Sequence, residues 1–285
     1  MDLDFSRFRL PFGEWVDSFV EFLIANLQWL FDAVAAGLGS LTGVLEDGLT
    51  FLPAVAVIAI VATIAYFARG WKFALYSILS LMLIVTMGMW DDAMSTLSLV
   101  LVATALALVI GVPLGICSAR SDRVSSIVRP VLDFMQTMPS LVYLIPAIIF
   151  FGVGKVPGVV ATFIFATPPA VRLTELGLRQ VDEEIVEAGE AFGAAPWKIL
   201  TRVQIPLALP TIMSGVNQVI MLALSMVVIA GMVGAGGLGA IIFRAVTRLN
   251  VGLGFEGGLS IVVIAVLLDR LTVAFSDRAS RRVAR

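Results

Sequence analysis

The sequence predicts an all-α, polytopic bundle of transmembrane helices, and three observations predict it. Of its 285 residues, 59% are hydrophobic and only 14% charged, with a mean hydropathy of +1.01, well above that of a soluble domain. Several apolar runs reach the roughly 17–25 residues a helix needs to cross about 30 Å of hydrocarbon. The short alternating strands of a β-barrel do not occur. Unpaired backbone groups are so costly in lipid that helices remain as the solution.

Composition also removes chemistry. There is no histidine and a single cysteine, Cys117, which excludes histidine acid/base catalysis, Cys/His metal sites and an internal disulfide. Cys117 reads as a small packing residue. No catalytic or metal-binding residue is expected, and no nucleic-acid partner.

Taken in order, residues 1–14 are too polar for a signal peptide, with Asp2, Asp4, Arg7 and Arg9 ahead of any apolar run, so the N-terminus is expected to be retained. Residues 15–45 are apolar but interrupted by Asp17, Glu21 and Asp32, with Glu46 and Asp47 following. That spacing predicts an amphipathic helix lying along the membrane rather than crossing it, within an N-terminal unit of residues 1–50. Seven spans are then expected: 51–68, 72–90, 94–119, 131–151, 156–171, 211–233 and 258–275. The first two form a peripheral pair within residues 51–92. The rest belong to a core of residues 93–275, and residues 276–285 form a basic tail.

Orientation follows from the basic residues. Arg69, Lys72, Arg120, Arg123, Arg129, Arg172, Arg179, Lys198, Arg202 and the tail arginines Arg278, Arg281, Arg282 and Arg285 fall on one side, and only Arg7, Arg9, Lys155, Arg244 and Arg248 on the other. The positive-inside rule makes the first side cytoplasmic, with the N-terminus outside and the C-terminus inside.

The cytoplasmic connection 172–205 is the most structured polar segment. Val181, Ile185, Ala188 and Phe192 lie at i, i+4, i+7 and i+11, one apolar helix face, with Glu183, Glu184, Glu187 and Glu190 largely on the other sides. Gly193 suits a left-handed cap and Pro196 the first turn of a second helix through Trp197, Ile199 and Leu200. By pattern alone this hairpin is either a solvated loop or a docking element.

One pattern separates the two. Glu187-Ala188-Gly189, three residues, Gly193, nine residues, then Val203-Gln204-Ile205-Pro206 resembles the EAA loop of ABC importer permeases, with Gly189, Val203 and Ile205 as small or apolar departures. The resemblance covers roughly residues 97–271. It includes Leu132 to Pro139, Val142 to Pro146, Gly152 to Gly158, Thr167 to Thr174, Asn217-Gln218, Leu224 to Ala230 and Gly234 to Gly239, segments similar to the glycine betaine/proline betaine branch. It implies the type I permease fold, with Glu187, Ala188, Gly189, Gly193, Ile205 and Pro206 in a coupling helix docked on a separate ATPase. It also implies a binding protein outside, two copies of this chain around one path, and a bacterial inner-membrane location. ATP and Mg would be bound by the ATPase, with no cofactor in this chain.

Polar residues in the spans supply candidates for the path. Asp133, Gln136, Ser140, Tyr143 and Ala147 are spaced as one helix face, as are Asn217, Met221, Ser225 and Val228. Such stripes either bond neighbouring helices or line a solute path. Gln136, Tyr143, Asn217, Met221 and Ser225 are the candidates. Pro139, Pro146, Pro206 and Pro210 favour kinks that either gate or merely shape the bundle.

A quaternary ammonium ion is held by aromatic faces. Tyr143 and a few phenylalanines are the only ones placed for it, since Trp15, Trp29, Trp71, Trp90 and Trp197 fall near interfaces or outside the spans. High-affinity recognition is therefore expected in the binding protein. The glycine runs 152–158 and 234–239 lack the Gly-Lys-Ser/Thr of a nucleotide loop and read as external turns. A thousandfold gradient needs about 4 kcal/mol, which a partner must supply.

Competing classes fare worse. A membrane-embedded enzyme would need a cluster of catalytic residues, and an ion-coupled carrier would need paired ionisable groups at mid-membrane, whereas Asp133 and Asp269-Arg270 lie near span ends. Within transport, choline, carnitine, methionine or sulfonate remain as alternative solutes.

Overall fold

The computed structural model describes residues 11–283, with side chains described through Ser276. The first ten residues of the N-terminal unit, Arg285 and the side chains of the other tail arginines lie outside what is described. Helices α1 (Phe12–Phe51), α2 (Ala54–Arg69), α3 (Trp71–Thr86), α4 (Trp90–Arg120), α5 (Asp122–Thr137), α6 (Leu144–Phe151) and α7 (Lys155–Arg179) are followed by α8 (Glu183–Ala191), α9 (Pro196–Ile199), α10 (Ile205–Ala230), α11 (Gly237–Thr247) and α12 (Val251–Val283).

The core is built on α7, which packs along both α4 and α10, with α12 on the far side of α10. Small residues make this possible. A methyl group on Gly111 would stand 2.6 Å from the Ala170 side chain, and one on Gly115 2.6 Å from the Val171 carbonyl oxygen, so the Gly111-x-x-x-Gly115 strip of α4 lies directly on the α7 backbone. Gly177 and Gly215 do the same between α7 and α10, against Ala208 and Leu173. Fully buried Val100, Val159, Val171, Val219 and Val227 fill the spaces between. Cys117 is exposed on α4, correcting the packing role expected for it: α4 turns Gly111, Gly115 and Ser118 inward, which points position 117 away from α7.

Among the described residues, five helical stretches are long and apolar enough to cross a membrane: Phe12–Phe51, Trp90–Arg120, Lys155–Arg179, Pro196–Val233 and Val251–Ser276. A sixth forms if α5 and the segment Ser140–Phe151 count as one. The seven expected spans differ from this set at three places. Residues 131–151 are not one helix. Pro139 forces Met138 into an extended conformation (ψ 135°), α5 ends at Thr137, and the chain turns through 108° before running on as the 3₁₀ turn Ser140–Tyr143 and α6. The stripe expected from Asp133 to Ala147 is therefore split across the bend.

The expected pair at 51–68 and 72–90 is a hairpin of two 16-residue helices joined by Gly70 at φ 88°. Each is about 24 Å long, short of the hydrocarbon core. Phe51 belongs to α1, because Leu52 is held extended before Pro53.

The N-terminal segment is one helix of 40 residues, about 60 Å long. It packs chiefly against α4 and also meets the adjoining ends of α6 and α7, where Phe31 stacks on Phe150 with centroids 4.5 Å apart, Gly39 faces Val156, and Glu46 pairs with Lys155. These three positions of α1 hold it against the end of α6 and the start of α7, on either side of the turn that joins them. The two glycine-rich turns meet there too, the Gly154 amide donating to the Val233 carbonyl at 3.0 Å.

Candidate functional site

The polar hairpin between α7 and α10 is assembled by local rules. Asp182 caps α8, its carboxylate accepting from the Glu184 amide at 3.1 Å, and Glu183 and Glu184 occupy the first turn, where the helix dipole favours negative charge. At the other end the Ala194 amide donates to the Gly189 carbonyl at 3.1 Å and the Gly193 amide to the Glu190 carbonyl at 2.8 Å, with Gly193 at φ 73°. This is the six-to-one and five-to-two pairing of a glycine cap. Ala195 is extended, Pro196 opens α9, and the chain turns back on itself.

From α9 the chain does not break before α10. Leu200–Gln204 form a π-helical turn, the Ile205 amide reaching the Leu200 carbonyl, and α10 continues from there. Pro206 has no amide to give the Arg202 carbonyl and its ring crowds that oxygen; widening the turn relieves both. Pro196–Val233 thus acts as one continuous rod of 38 residues.

The base of the hairpin is anchored. Leu200, Leu178, Ala208 and Ile212 are buried together, with Val181, Ile205, Ile116 and Ala119 around them, tying the ends of α4, α7 and α10 to the turn. Gly189 lies against Ile199 on α9; a methyl group there would sit 3.4 Å away. The outer surface is not covered. Phe192 is 92% and Trp197 68% exposed, Ile185, Glu187 and Ala188 are exposed, and α8 contributes no buried residue. The apolar face expected here is split: Val181 joins the buried base, while Ile185, Ala188 and Phe192 are turned outward.

Above the hairpin lies an ionic cluster that sequence reasoning missed. Glu175 of α7, with a side chain only 4% exposed, accepts from Ser125 Oγ and Arg129 Nη2 at 2.8 Å and from Arg179 Nε at 3.0 Å. Arg179 also donates to Asp122 at 2.8 Å and to the Ser118 carbonyl at 2.9 Å, and Arg172 pairs with Asp133. Asp122, Ser125, Arg129 and Asp133 stand at i, i+3, i+7 and i+11, so one polar stripe of α5 is zipped to α7. That periodicity was the available signal. The cluster borders a cavity of about 350 Å³.

The path candidates do not form one patch. Tyr143 is 7% exposed, packs edge-on to Phe165 at 6.0 Å, and donates its hydroxyl to the Met135 carbonyl, closing the bend between α5 and α6. Asn217 donates to Asp269 of α12 at 2.8 Å, a helix–helix bond, while its Oδ1 is buried without a partner. Gln136, Met221 and Ser225 are exposed, the last with its hydroxyl satisfied by the Met221 carbonyl at 3.0 Å. On α10, the exposed positions are Leu207, Pro210, Ser214, Gln218, Met221 and Ser225, spaced as one strip along the helix.

Residues 111–285 match the family model described as binding-protein-dependent transport system inner membrane component. The chain is 46% identical over 264 residues to the glycine betaine transport system permease protein OpuAB of Bacillus subtilis (strain 168), covering 93% of this chain and 94% of that one. It is also 46% identical over 278 residues to the glycine betaine/proline betaine transport system permease protein ProW of Escherichia coli (strain K12), covering 97% and 78%. Among solved structures, an inward-facing conformation of the MetNI methionine ABC transporter aligns with a TM-score of 0.60 over 69% of this chain and 96% of that one; at 24% identity this shows the shared fold.

Proposed function

Because the chain belongs to the family of binding-protein-dependent transport system inner membrane components, we propose that it is the permease subunit of an ATP-driven importer for glycine betaine and related quaternary ammonium solutes. The observation that carries this reading is the hairpin: an uncovered face of Ile185, Phe192 and Trp197 ringed by glutamates, built onto a rod that continues into the bundle. An apolar centre with a charged rim suits a protein partner. A separate ATPase, holding ATP and Mg, docks on α8 and α9, and its movement reaches α10 through the π turn. The similarity to betaine permeases along nearly the whole chain supports the solute class.

Two copies of the chain surround the path, with the exposed α10 strip at Met221 and Ser225 and the α5 residue Gln136 lining it. Tyr143 and Asn217 shape it from behind. A binding protein delivers solute from outside. The basic residues near α2–α3, α4–α5 and α7–α10 support a cytoplasmic hairpin and C-terminus with the N-terminus outside. The contacts of α1 with the adjoining ends of α6 and α7 then support an N-terminal unit at the external surface, beside a peripheral hairpin at 51–92 and a core at 93–275.

The solute class is tested by uptake of labelled glycine betaine into proteoliposomes holding this chain, its ATPase and its binding protein, challenged with excess unlabelled solutes. Proline betaine is expected to compete. Uptake of methionine or a sulfonate in place of betaine would transfer the chain to another branch.

A further inference from the structure

The turn that joins α11 to α12 holds a residue for which the fold of this chain gives no reason. Leu249 has φ 51°, the only positive value at a non-glycine position among the described residues. The Leu249 amide donates to the Val246 carbonyl at 3.3 Å and the Asn250 amide to the Ala245 carbonyl at 2.9 Å, the cap in which glycine ordinarily takes the left-handed position. Asn250 then caps α12, its Oδ1 accepting from the Leu253 amide at 3.1 Å. The turn is fixed from both sides. A leucine is strained in the left-handed region where glycine is not, and no burial within the chain offsets this, since Leu249 is 87% exposed.

Leu249 stands at the tip of an apolar patch. Val246 and Val251 beside it are exposed, and with Ala245, Asn250 and Gly254 these residues line a cavity of about 290 Å³. Lipid does not account for the patch. Irregular backbone does not face lipid within the hydrocarbon region, and Arg244, Thr247, Arg248 and Asn250 are all exposed on the same short stretch, so the tip stands in water. Arg244 lies in the field of Asp92, whereas Arg248 forms no ion pair among the described residues. A two-fold contact of the tip with itself would set one Arg248 against the other, which like charges oppose. What fits is a different protein, with an apolar recess edged by carboxylates.

We propose that Leu249 is the anchor by which the external binding protein docks on this chain, its side chain entering an apolar recess of that protein and Arg248 meeting a carboxylate at the rim. The inference rests on the orientation and the binding protein proposed above. An anchor already fixed before contact loses little freedom on binding, which accounts for a leucine where glycine would relax the backbone.

The test is titration of the binding protein, loaded with glycine betaine, onto the permease–ATPase complex in nanodiscs. Leu249→Gly should keep or raise the melting temperature, because glycine takes this φ without strain, and yet weaken docking at least about tenfold. Leu249→Asn, which also tolerates the left-handed region, repeats the measurement with a polar side chain and should weaken docking as well. Arg248→Glu should weaken it several-fold at low salt and by less at high salt, while Arg248→Lys keeps it. Wild-type affinity in Leu249→Gly and Leu249→Asn overturns the inference. So does dissociation of either variant into single permease chains in size-exclusion chromatography, which would assign the tip to a second copy. No docking by wild type would contradict the binding-protein reading itself, and the inference with it.

Discussion

Arg129 on α5 donates to Glu175 on α7 at 2.8 Å, across 46 residues of sequence, and the two ends of that bond are not equivalent: the Glu175 side chain is 4% exposed and that of Arg129 59%. Glu175 is also the acceptor for Ser125 and Arg179. Removing the shared acceptor strands several donors, whereas removing Arg129 leaves Glu175 with two. Glu175→Ala should therefore destabilise the detergent-purified chain clearly more than Arg129→Ala, by about 1.5–3 kcal/mol for a hydrogen bond to a charged group, read as a larger drop in melting temperature. Equal effects would mean that the cluster has no hub.

The α4–α7 contact makes a sharper distinction among glycines. Gly115→Val should abolish the folded, monodisperse peak in size-exclusion chromatography, because even a methyl group would lie 2.6 Å from the Val171 carbonyl oxygen. Overpacking of this kind costs about 1–3 kcal/mol where the neighbour can yield, and a helix backbone yields little. Gly43→Ala on α1, with nothing within 4 Å, should leave the peak unchanged.

Gly193 tests the cap rather than the packing. Nothing lies within 4 Å of a methyl group there, so a substitution acts through φ alone. Gly193→Ala should cost about 1–2 kcal/mol of local stability, Gly193→Asn less, and Gly193→Pro should unwind the cap, since proline cannot take a φ of 73° or donate to the Glu190 carbonyl. Hydrogen exchange at Ala194 and Gly193 would report the order.

Phe192 separates folding from docking. At 92% exposure it contributes nothing visible to this chain, so Phe192→Ser should leave the melting temperature within error. If it anchors the ATPase, the same change should weaken their association by about 30-fold, the scale of a central interface residue, read by titration of the ATPase onto the immobilised permease. Unchanged affinity would place the docking surface elsewhere.

The path can be probed by thiol labelling in a Cys117→Ser background, since Cys117 is itself exposed. Gln136→Cys and Ser225→Cys should react with a charged, membrane-impermeant reagent at least about tenfold faster than Met226→Cys, whose position is fully buried. Protection by saturating solute would tie them to the path.

How much of this was legible depended on how local the cause was. Gly193 and Pro196 could be read because a left-handed φ and a missing amide are properties of single residues, whereas the Asp182 cap of α8 went unread although its cause is equally local. The break at Met138-Pro139 was written in the sequence as a proline. Yet apolar residues on both sides hid the fact that the residue before it leaves the helix altogether. Gly111 and Gly115 carry a four-residue spacing whose meaning depends on what stands opposite, and Ala170 and Val171 lie about 60 positions away. The Glu175 cluster is harder still. Its arginines also satisfy the positive-inside pattern, so their charge had an explanation before their partners were known.

The central claim is that a partner ATPase drives solute through this chain by way of the α8–α9 hairpin. The measurement that meets it most directly is ATP-dependent uptake of radiolabelled glycine betaine into proteoliposomes holding the chain, its ATPase and its binding protein, with Glu187→Lys and Gly193→Pro compared against wild type. Uptake that requires ATP and the ATPase, and is lost in both variants while each still inserts and folds, is the predicted result; uptake in proteoliposomes lacking the ATPase would contradict the account.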